Sequence, residues 1–328
     1  MDRSNDAIVG VGINYSWKEF KNYAVSLDRC GFQGRRILFV HNISSAARTA
    51  LAHLGFELIE YTPKKVVVVD RFKAIHDWLA ENQEGLRYVI LSDIRDVVFQ
   101  TDPSEWFEAH AGEAKIFGTS EFIFFRNESC NPFWVEQLYG RKTLDTLLAK
   151  EEVICAGTIC GEAEAVKRLT LRIYESSTDR HGDDQAALNV LLRTEFKDEM
   201  RIPTPEEGFV ITVGWYLIGT TNEHLHQGDT EVGKRSNLRT NPPVLRDGIV
   251  YPHGSETPYC VVHQYERGTR WEPEIDKKYV ADFAVTETAN RTLPDGTSKA
   301  EWVKKKVQRP RYSRDGLTID WFDMWERK

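Results

Sequence analysis

The feature that most constrains this chain is a regular alternation, across its N-terminal third, of short apolar runs with amphipathic stretches of helical period. Ala7 to Ile13 is apolar with two glycines, after which Trp17, Phe20, Ala24 and Leu27 recur at spacings of three and four before Gly31. This reads as strand, loop, helix and glycine stop. Arg36 to Val40 (RILFV) is a second strand, Ser44 and Ser45 cap a helix that ends near Gly55, and Phe56 to Tyr61 (FELIEY) is a third strand. Phe72, Ile75, Trp78 and Leu79 mark another helical face, leading through Gly85 into RYVILSDIRDVVFQTDP, Arg87 to Pro103. Such alternation predicts an α/β protein with a mostly parallel sheet carrying helices on both faces.

The remainder keeps the pattern less strictly. KIFG and EFIFF read as short strands, EEVICAGTICG as a strand bounded by glycine, and EAEAVKRLTLRIYES as a helix. HGDDQAALNVLLR starts another helix, with acids at the end where the macrodipole favours them. Beyond about Ile202, Pro and Gly become frequent, so strands there should be short and irregular. The 328 residues allow one large α/β domain or two. We expect one large domain over residues 1–285 and a basic extension over 286–328, where Lys299, Lys304, Lys305, Lys306, Arg309, Arg311 and Arg314 face Glu301 alone within residues 299–314.

Net charge is −7, so most of the surface repels a phosphate backbone and nucleic acid is not an expected partner. MDRSND is no secretory signal, and no run approaches the roughly 20 apolar residues of a spanning helix. The expected location is cytoplasmic. Cys30, Cys130, Cys155, Cys160 and Cys260 form an odd, dispersed set without a CxxC pair, which argues against a disulfide framework or zinc site and for buried thiols.

The strand at Tyr88 runs into Ser92, Asp93 and Asp96, with Asp102 just beyond. In open α/β sheets ligands bind past the carboxyl ends of strands, where loops carry polar groups that strands cannot. Two carboxylates across a turn can converge on a hard divalent cation such as Mg²⁺ or Mn²⁺, or they can simply cap the turn. GVGINY at Gly10 to Tyr15 is not GxGxxG, so a dinucleotide fold is not indicated. His224 and His226 within NEHLHQGD read as part of a polar loop.

ILSDIRDVVF resembles the DxD region of nucleotide-sugar glycosyltransferases with the GT-A fold. Three further segments follow in the right order. CAGTICG, Cys155 to Gly161, is similar to the asparagine-alanine-glycine strand of the glycogenin and bacterial lipopolysaccharide galactosyltransferase group. DDQAALN, Asp183 to Asn189, resembles that group's Asp-Gln…Leu-Asn helix start, and VVHQYERGTRW, Val261 to Trp271, its late strand with a metal-binding histidine. The ordered set spans Ile8 to Trp271. Departures are visible: the tight DxD is here Asp93-Ile94-Arg95-Asp96, Cys155 stands where the group has asparagine, Gly268 falls two residues late, and Thr269 replaces a diphosphate-contacting lysine.

The resemblance implies a GT-A type, Rossmann-like mixed sheet flanked by helices, and a metal-dependent hexosyltransferase with a nucleotide-binding half over residues 1–110 and a donor-sugar and acceptor half over 111–285. It implies Mn²⁺ or Mg²⁺ on Asp93, Asp96 and His263, and a nucleotide-sugar co-substrate, expected to be a UDP-sugar. Asp184 and Gln185 would act at the sugar; Gly12 and Tyr15 would meet the nucleoside. Arg71, Arg95, Ala156, Gly157, Arg267 and Arg270 would contact the donor. It leans towards retention of configuration; an inverting reaction would need a carboxylate base, for which Glu121, Asp183 and Glu207 are candidates. The acceptor would be a glycan or glycolipid, and Lys304 to Arg314, with Trp302, Tyr312 and Trp321 interleaved, would add peripheral contact with anionic lipid, unless the run is a solvated helix or packs back on the acidic domain. Competing readings are a silent nucleotide-sugar or glycan-binding module, a nucleotidyltransferase and a metal-dependent phosphatase. The chain has neither an early glycine-rich, lysine-bearing loop nor an early DxDxT.

Overall fold

The computed structural model describes residues 2–218, 238, 241–268 and 270–285 with their side chains, and 219–221, 302–313 and 316–327 as backbone. Thr269, His224, His226 and Lys299 lie outside the described residues. β1 (Ala7–Ile13), β2 (Arg35–His41), β3 (Glu57–Glu60) and β4 (Tyr88–Ser92) pair in parallel in the order β3-β2-β1-β4. Helices Trp17–Arg29, Ser45–His53 and Val67–Asn82 make the three crossovers. Local chemistry starts the first two: the Ser16 amide donates to Glu19 Oε2 at 2.7 Å in a capping box, and Ser44 Oγ accepts from the Ala47 amide at 3.1 Å.

Successive strand side chains point to opposite faces, and each face here meets its own layer of helices. Ile8, Leu38, Val40 and Ile90 pack with Phe20, Tyr23, Leu27, Ala47 and Leu51. Val9, Ile37, Phe39, Val89 and Leu91 pack on the other side with Phe72, Ile75 and Leu79, joined by Val166, Leu169 and Ile173 of helix Ala163–Ser176. This is the helix-sheet-helix layering expected from the alternation.

Beyond β4 the sheet stops being parallel. β5 (Val97–Phe99) leaves it at once, β7 (Glu152–Glu162) runs antiparallel between β4 and β6 (Ile116–Phe124), and β8 (Met200–Arg201) closes the edge parallel to β6. The result is a seven-stranded mixed sheet, β3-β2-β1-β4-β7-β6-β8, flanked by helices. KIFG and EFIFF, expected as two strands, are one: β6 bends through register shifts after Gly118 and Ser120, and Phe122 takes a positive φ of 55°.

The second half is short-stranded, as its Pro and Gly content suggests. β9 (Val210–Thr212) and β12 (Val261–His263) run parallel, and β12 also pairs antiparallel with β5. β10 (Val244–Arg246) and β11 (Ile249–Tyr251) form a separate hairpin. Phe209, Ile211, Val261 and Ile275 join the same apolar cluster as Ile8 and Tyr23, so both halves share one core. Residues 302–313 pair antiparallel with 316–327, so most of the basic run is extended rather than helical. Among the described residues no helix is long and apolar enough to cross a membrane.

Helix Asp183–Leu191 buttresses β7 through Asn189, which is fully buried. Its Oδ1 accepts from the Ile154 amide at 2.8 Å and its Nδ2 donates to the Ile154 carbonyl at 2.7 Å, where the β6–β7 ladder is irregular. Asn189→Ala is expected to destabilise by about 2–6 kcal/mol, because two buried backbone groups each lose a partner at about 1–3 kcal/mol. A urea melt checks this.

Candidate functional site

β4 ends at Ser92, and the chain then turns over Asp93–Ile94–Arg95–Asp96 into β5. Ile94 is buried and packs towards Gly10, whereas Arg95 points to solvent and pairs with Glu266 Oε1 at 2.6 Å. Burying Ile94 in the core leaves both acids on the cavity side of the turn. This is how a spacing one residue longer than DxD still brings two carboxylates together. The third group arrives through strand pairing: His263 lies opposite Val97 in the β12–β5 ladder, and the Gln264 amide donates to the Asp96 carbonyl at 2.8 Å.

His263 Nε2 therefore sits 3.6 Å from Asp93 Oδ2 and 3.6 Å from Asp96 Oδ1. The other ring nitrogen, Nδ1, lies 3.4 Å from Thr158 Oγ1 and 3.7 Å from Cys155 Sγ. Nε2 is buried without a hydrogen-bond partner. Burial works against charge on the imidazole, but Asp96 and Asp93 outweigh it and raise the His263 pKa. Burial raises Asp96 above the usual carboxylate range, with His263 opposing. For Asp93 burial is overcome by Arg71 and His263, which hold it below that range.

These three residues fit a divalent cation. Their donor atoms lie within 4.8 Å of one another, and two carboxylates with an imidazole suit Mn²⁺ or a similar ion. The floor of the cluster is also kept open: a Cβ on Gly157 would come 2.5 Å from both Asp93 Oδ2 and His263 Cε1. A glycine is required at that point of β7 because the two side chains meet above it.

Arg71, on helix Val67–Asn82, ties the cluster to the rest of the site. It donates to Asp93 Oδ1 at 2.5 Å, to the Ala156 carbonyl at 3.1 Å and to Asp184 Oδ2 at 3.3 Å. Burial lowers its pKa, but Asp93 and Asp184 more than compensate. Asp184 is itself buried, which pushes its carboxyl up against the pull of Arg71. Gln185, next along, accepts from the Ala156 amide at 3.0 Å and donates to Glu121 Oε1 at 3.2 Å and Asn131 Oδ1 at 2.7 Å. Glu121 also accepts from Trp215 Nε1 at 3.0 Å, and burial raises its pKa.

A cavity of about 680 Å³ runs along this row, within the roughly 300–1,000 Å³ typical of ligand pockets. Its lining includes Val11, Val67, Val68 and Tyr15, the last close enough to Asp93 and Asp96 to feel their charge, and a group formed by Gln185, Glu121 and Trp215, joined by hydrogen bonds, with Trp134. Tyr15, Arg71, Arg95, Ala156, Gly157, Asp184 and Arg267 all reach it. Three expected residues do not. His263, fully buried beside the acid pair, is not part of the lining. A Cβ on Gly12 would strike the Phe20 ring, so Gly12 serves core packing, and its neighbour Val11 lines the cavity instead. Arg270 is exposed at the start of helix Trp271–Lys278, away from the cavity lining.

Two candidate bases are also removed. Asp183 accepts from the Thr178 amide at 2.9 Å and from its hydroxyl, holding the turn before its own helix. Glu207 is bound by Arg201 at 2.6 Å and 3.0 Å and lies outside the cavity lining. Only Glu121 of the three faces the site. Sequence reasoning missed Asn131, Trp134 and Trp215, which belong to helices with no motif around them. Compared with known proteins, the chain matches no family model and no curated sequence.

Titration with Mn²⁺ is expected to give saturable binding in the native chain and at least tenfold weaker binding in Gly157→Ala, whose methyl intrudes between Asp93 and His263. Calorimetry with circular dichroism as a folding control measures both. Equal affinity in the two proteins would mean that the ion sits elsewhere.

Proposed function

We propose that the chain is a metal-dependent glycosyltransferase of the GT-A type, moving a hexosyl group from a nucleoside diphosphate sugar, with UDP the expected nucleotide, to a glycan or glycolipid acceptor. The observation that carries this reading is the meeting of Asp93 and Asp96, at the C-terminal end of a central parallel strand, with His263 from far along the chain. The make-up of the cavity supports it: aromatic and apolar side chains suited to a nucleoside, the Asp93 and Asp96 carboxylates beside the buried His263, and Asp184, Gln185 and Glu121 as partners for a sugar.

Transfer breaks the bond between the anomeric carbon and the diphosphate, so negative charge grows on the leaving group while the sugar becomes cation-like. A divalent cation held by Asp93, Asp96 and His263 would supply neutralisation of that charge. Arg71 fixes the Asp93 and Asp184 carboxylates in place, which leaves Asp184 poised as an acceptor for donor-sugar hydroxyls. Gln185 has its amide orientation set by three hydrogen bonds, to Ala156, Glu121 and Asn131, so it is pre-organised beside the sugar rather than free to rotate. Arg267 lines the cavity exposed and without a salt bridge among the described residues, which makes it available to phosphate oxygens in place of the group's lysine. Glu121, buried and raised in pKa, is the carboxyl available to exchange a proton with an acceptor hydroxyl if configuration is inverted.

Incubation with a panel of nucleotide sugars and Mn²⁺ is expected to show donor hydrolysis for at least one UDP-sugar. Asp96→Asn should drop that rate to background with an unchanged far-UV spectrum. Calorimetric binding of UDP only in the presence of Mn²⁺ would accompany it; binding indifferent to the metal would instead favour a silent nucleotide-sugar module, and undiminished hydrolysis by Asp96→Asn would overturn the assignment.

A further inference from the structure

The part of the cavity around Gln185 has a composition of its own. Trp134, on helix Cys130–Tyr139, lines it with one ring face already used: a Cβ on Gly182 would collide alike with Cγ, Cδ2 and Cε2 of the indole, so the ring lies flat on that glycine. Gly182 adopts a φ of +90°, a conformation that favours glycine, and the turn it makes lays bare backbone against the ring. Trp215, also in the lining, is fixed by its hydrogen bond to Glu121 Oε2. Two indoles are thus held in set planes around a buried carboxylate and the Asn131 amide.

Glu121 has acceptor capacity left. A carboxylate offers about four lone-pair sites, and Gln185, Trp215 and the Cys155 thiol take three of them. Glu128 nearby is spent on the amides of Cys130 and Asn131, where it caps their helix. Arg71 and Arg95 are paired with Asp93 and Glu266, and Arg267, whose charge bears on Glu121, stands here against Glu121 and Glu128 together, so the balance in this part of the cavity is acidic. A flat apolar surface beside fixed hydrogen-bond acceptors matches a pyranose ring, which has an apolar C–H face and a polar rim of hydroxyls. An acidic lining disfavours phosphate or carboxylate groups on that ring.

We infer that this part is the acceptor subsite and that it takes an uncharged hexopyranose, seated face-on against Trp134 with a hydroxyl directed to Glu121. The inference rests on the glycosyltransferase reading for the word acceptor, whereas binding of a neutral sugar at Trp134 is a property of the free cavity.

Methyl hexopyranosides of the gluco, galacto and manno series, lactose and glucose 6-phosphate serve as probes, followed by saturation-transfer NMR on the full chain with and without Mn²⁺ and UDP. At least one neutral sugar is expected to bind and glucose 6-phosphate to bind at least tenfold more weakly. Trp134→Ala should weaken the neutral sugar at least tenfold and Trp134→Phe, which keeps a ring, by much less. A Trp134→Ala protein that still binds Mn²⁺ and UDP as the native chain does establishes that its cavity is folded. Absence of neutral-sugar binding in the native chain, equal binding by Trp134→Ala, or preference for the phosphorylated sugar would each overturn the subsite. Neutral-sugar binding that needs Trp134 in a chain with no affinity for Mn²⁺ and UDP would uphold the subsite and sink the transferase reading instead.

Discussion

The architecture around the site depends on one buried guanidinium. Arg71 joins the turn after β4, the backbone of β7 and the first turn of helix Asp183–Leu191, three elements whose approach would otherwise force Asp93 and Asp184 together unneutralised. Removing one partner of a buried ion pair typically costs about 3–5 kcal/mol, because the charges left behind are neither solvated nor paired. Arginine suits the task better than lysine would. Its planar fork reaches two carboxylates and a carbonyl at once and stays charged despite burial. Within the acid and imidazole cluster, the buried Nε2 of His263 is left without a hydrogen-bond partner.

Convergence of the acids with His263 is a matter of topology rather than of local sequence. β5 begins one residue after Asp96 and finds β12 as its antiparallel neighbour, so the ladder itself sets His263 opposite Val97. β7 enters between β4 and β6 in the opposite direction and lays Cys155, Ala156 and Gly157 across the end of β4, where the Asp93 amide donates to the Gly157 carbonyl at 2.7 Å. The switch from parallel to antiparallel pairing thus opens the crevice at the strand ends, as open α/β sheets commonly do.

Much of this was legible beforehand. The alternation gave the layered sheet because its strands have period two and its helices a period near 3.6, and both faces filled as expected. The acid pair was found from its chemistry at a strand end, whereas the β7 glycine and the histidine were found from the resemblance of their segments to the GT-A group. What stayed hidden depends on bends and rotations that periodicity does not carry. Glu121 faces the cavity because β6 kinks at Phe122, with a φ of 55°, and no residue there signals a kink. Gly12 and Gly157 look alike in sequence, each a glycine in an apolar strand, yet one makes room for Phe20 and the other for Asp93 and His263. Asp183 and Asp184 are adjacent and identical; the helix turn sends one to cap Thr178 and the other to Arg71. Trp134 and Trp215 carried no pattern beyond being aromatic on short helices.

Charge along the cavity supplies a last argument for why an anionic donor would need a cation here. Asp93, Asp96, Glu121, Glu128 and Asp184 line it, against Arg71, Arg95 and Arg267. Arg71 is already held by Asp93 and Asp184, and Arg95 by Glu266, which leaves Arg267 as the lining guanidinium without a salt bridge among the described residues. A diphosphate carrying about two negative charges would meet a net acidic wall, and at an effective dielectric near 20 each unmatched charge at about 4 Å costs roughly 4 kcal/mol. One arginine at the rim does not offset that. On the proposed reading, affinity for a nucleoside diphosphate is therefore conditional on the divalent ion. The cluster at Asp93, Asp96 and His263 acts in ground-state binding as well as in stabilising the leaving group.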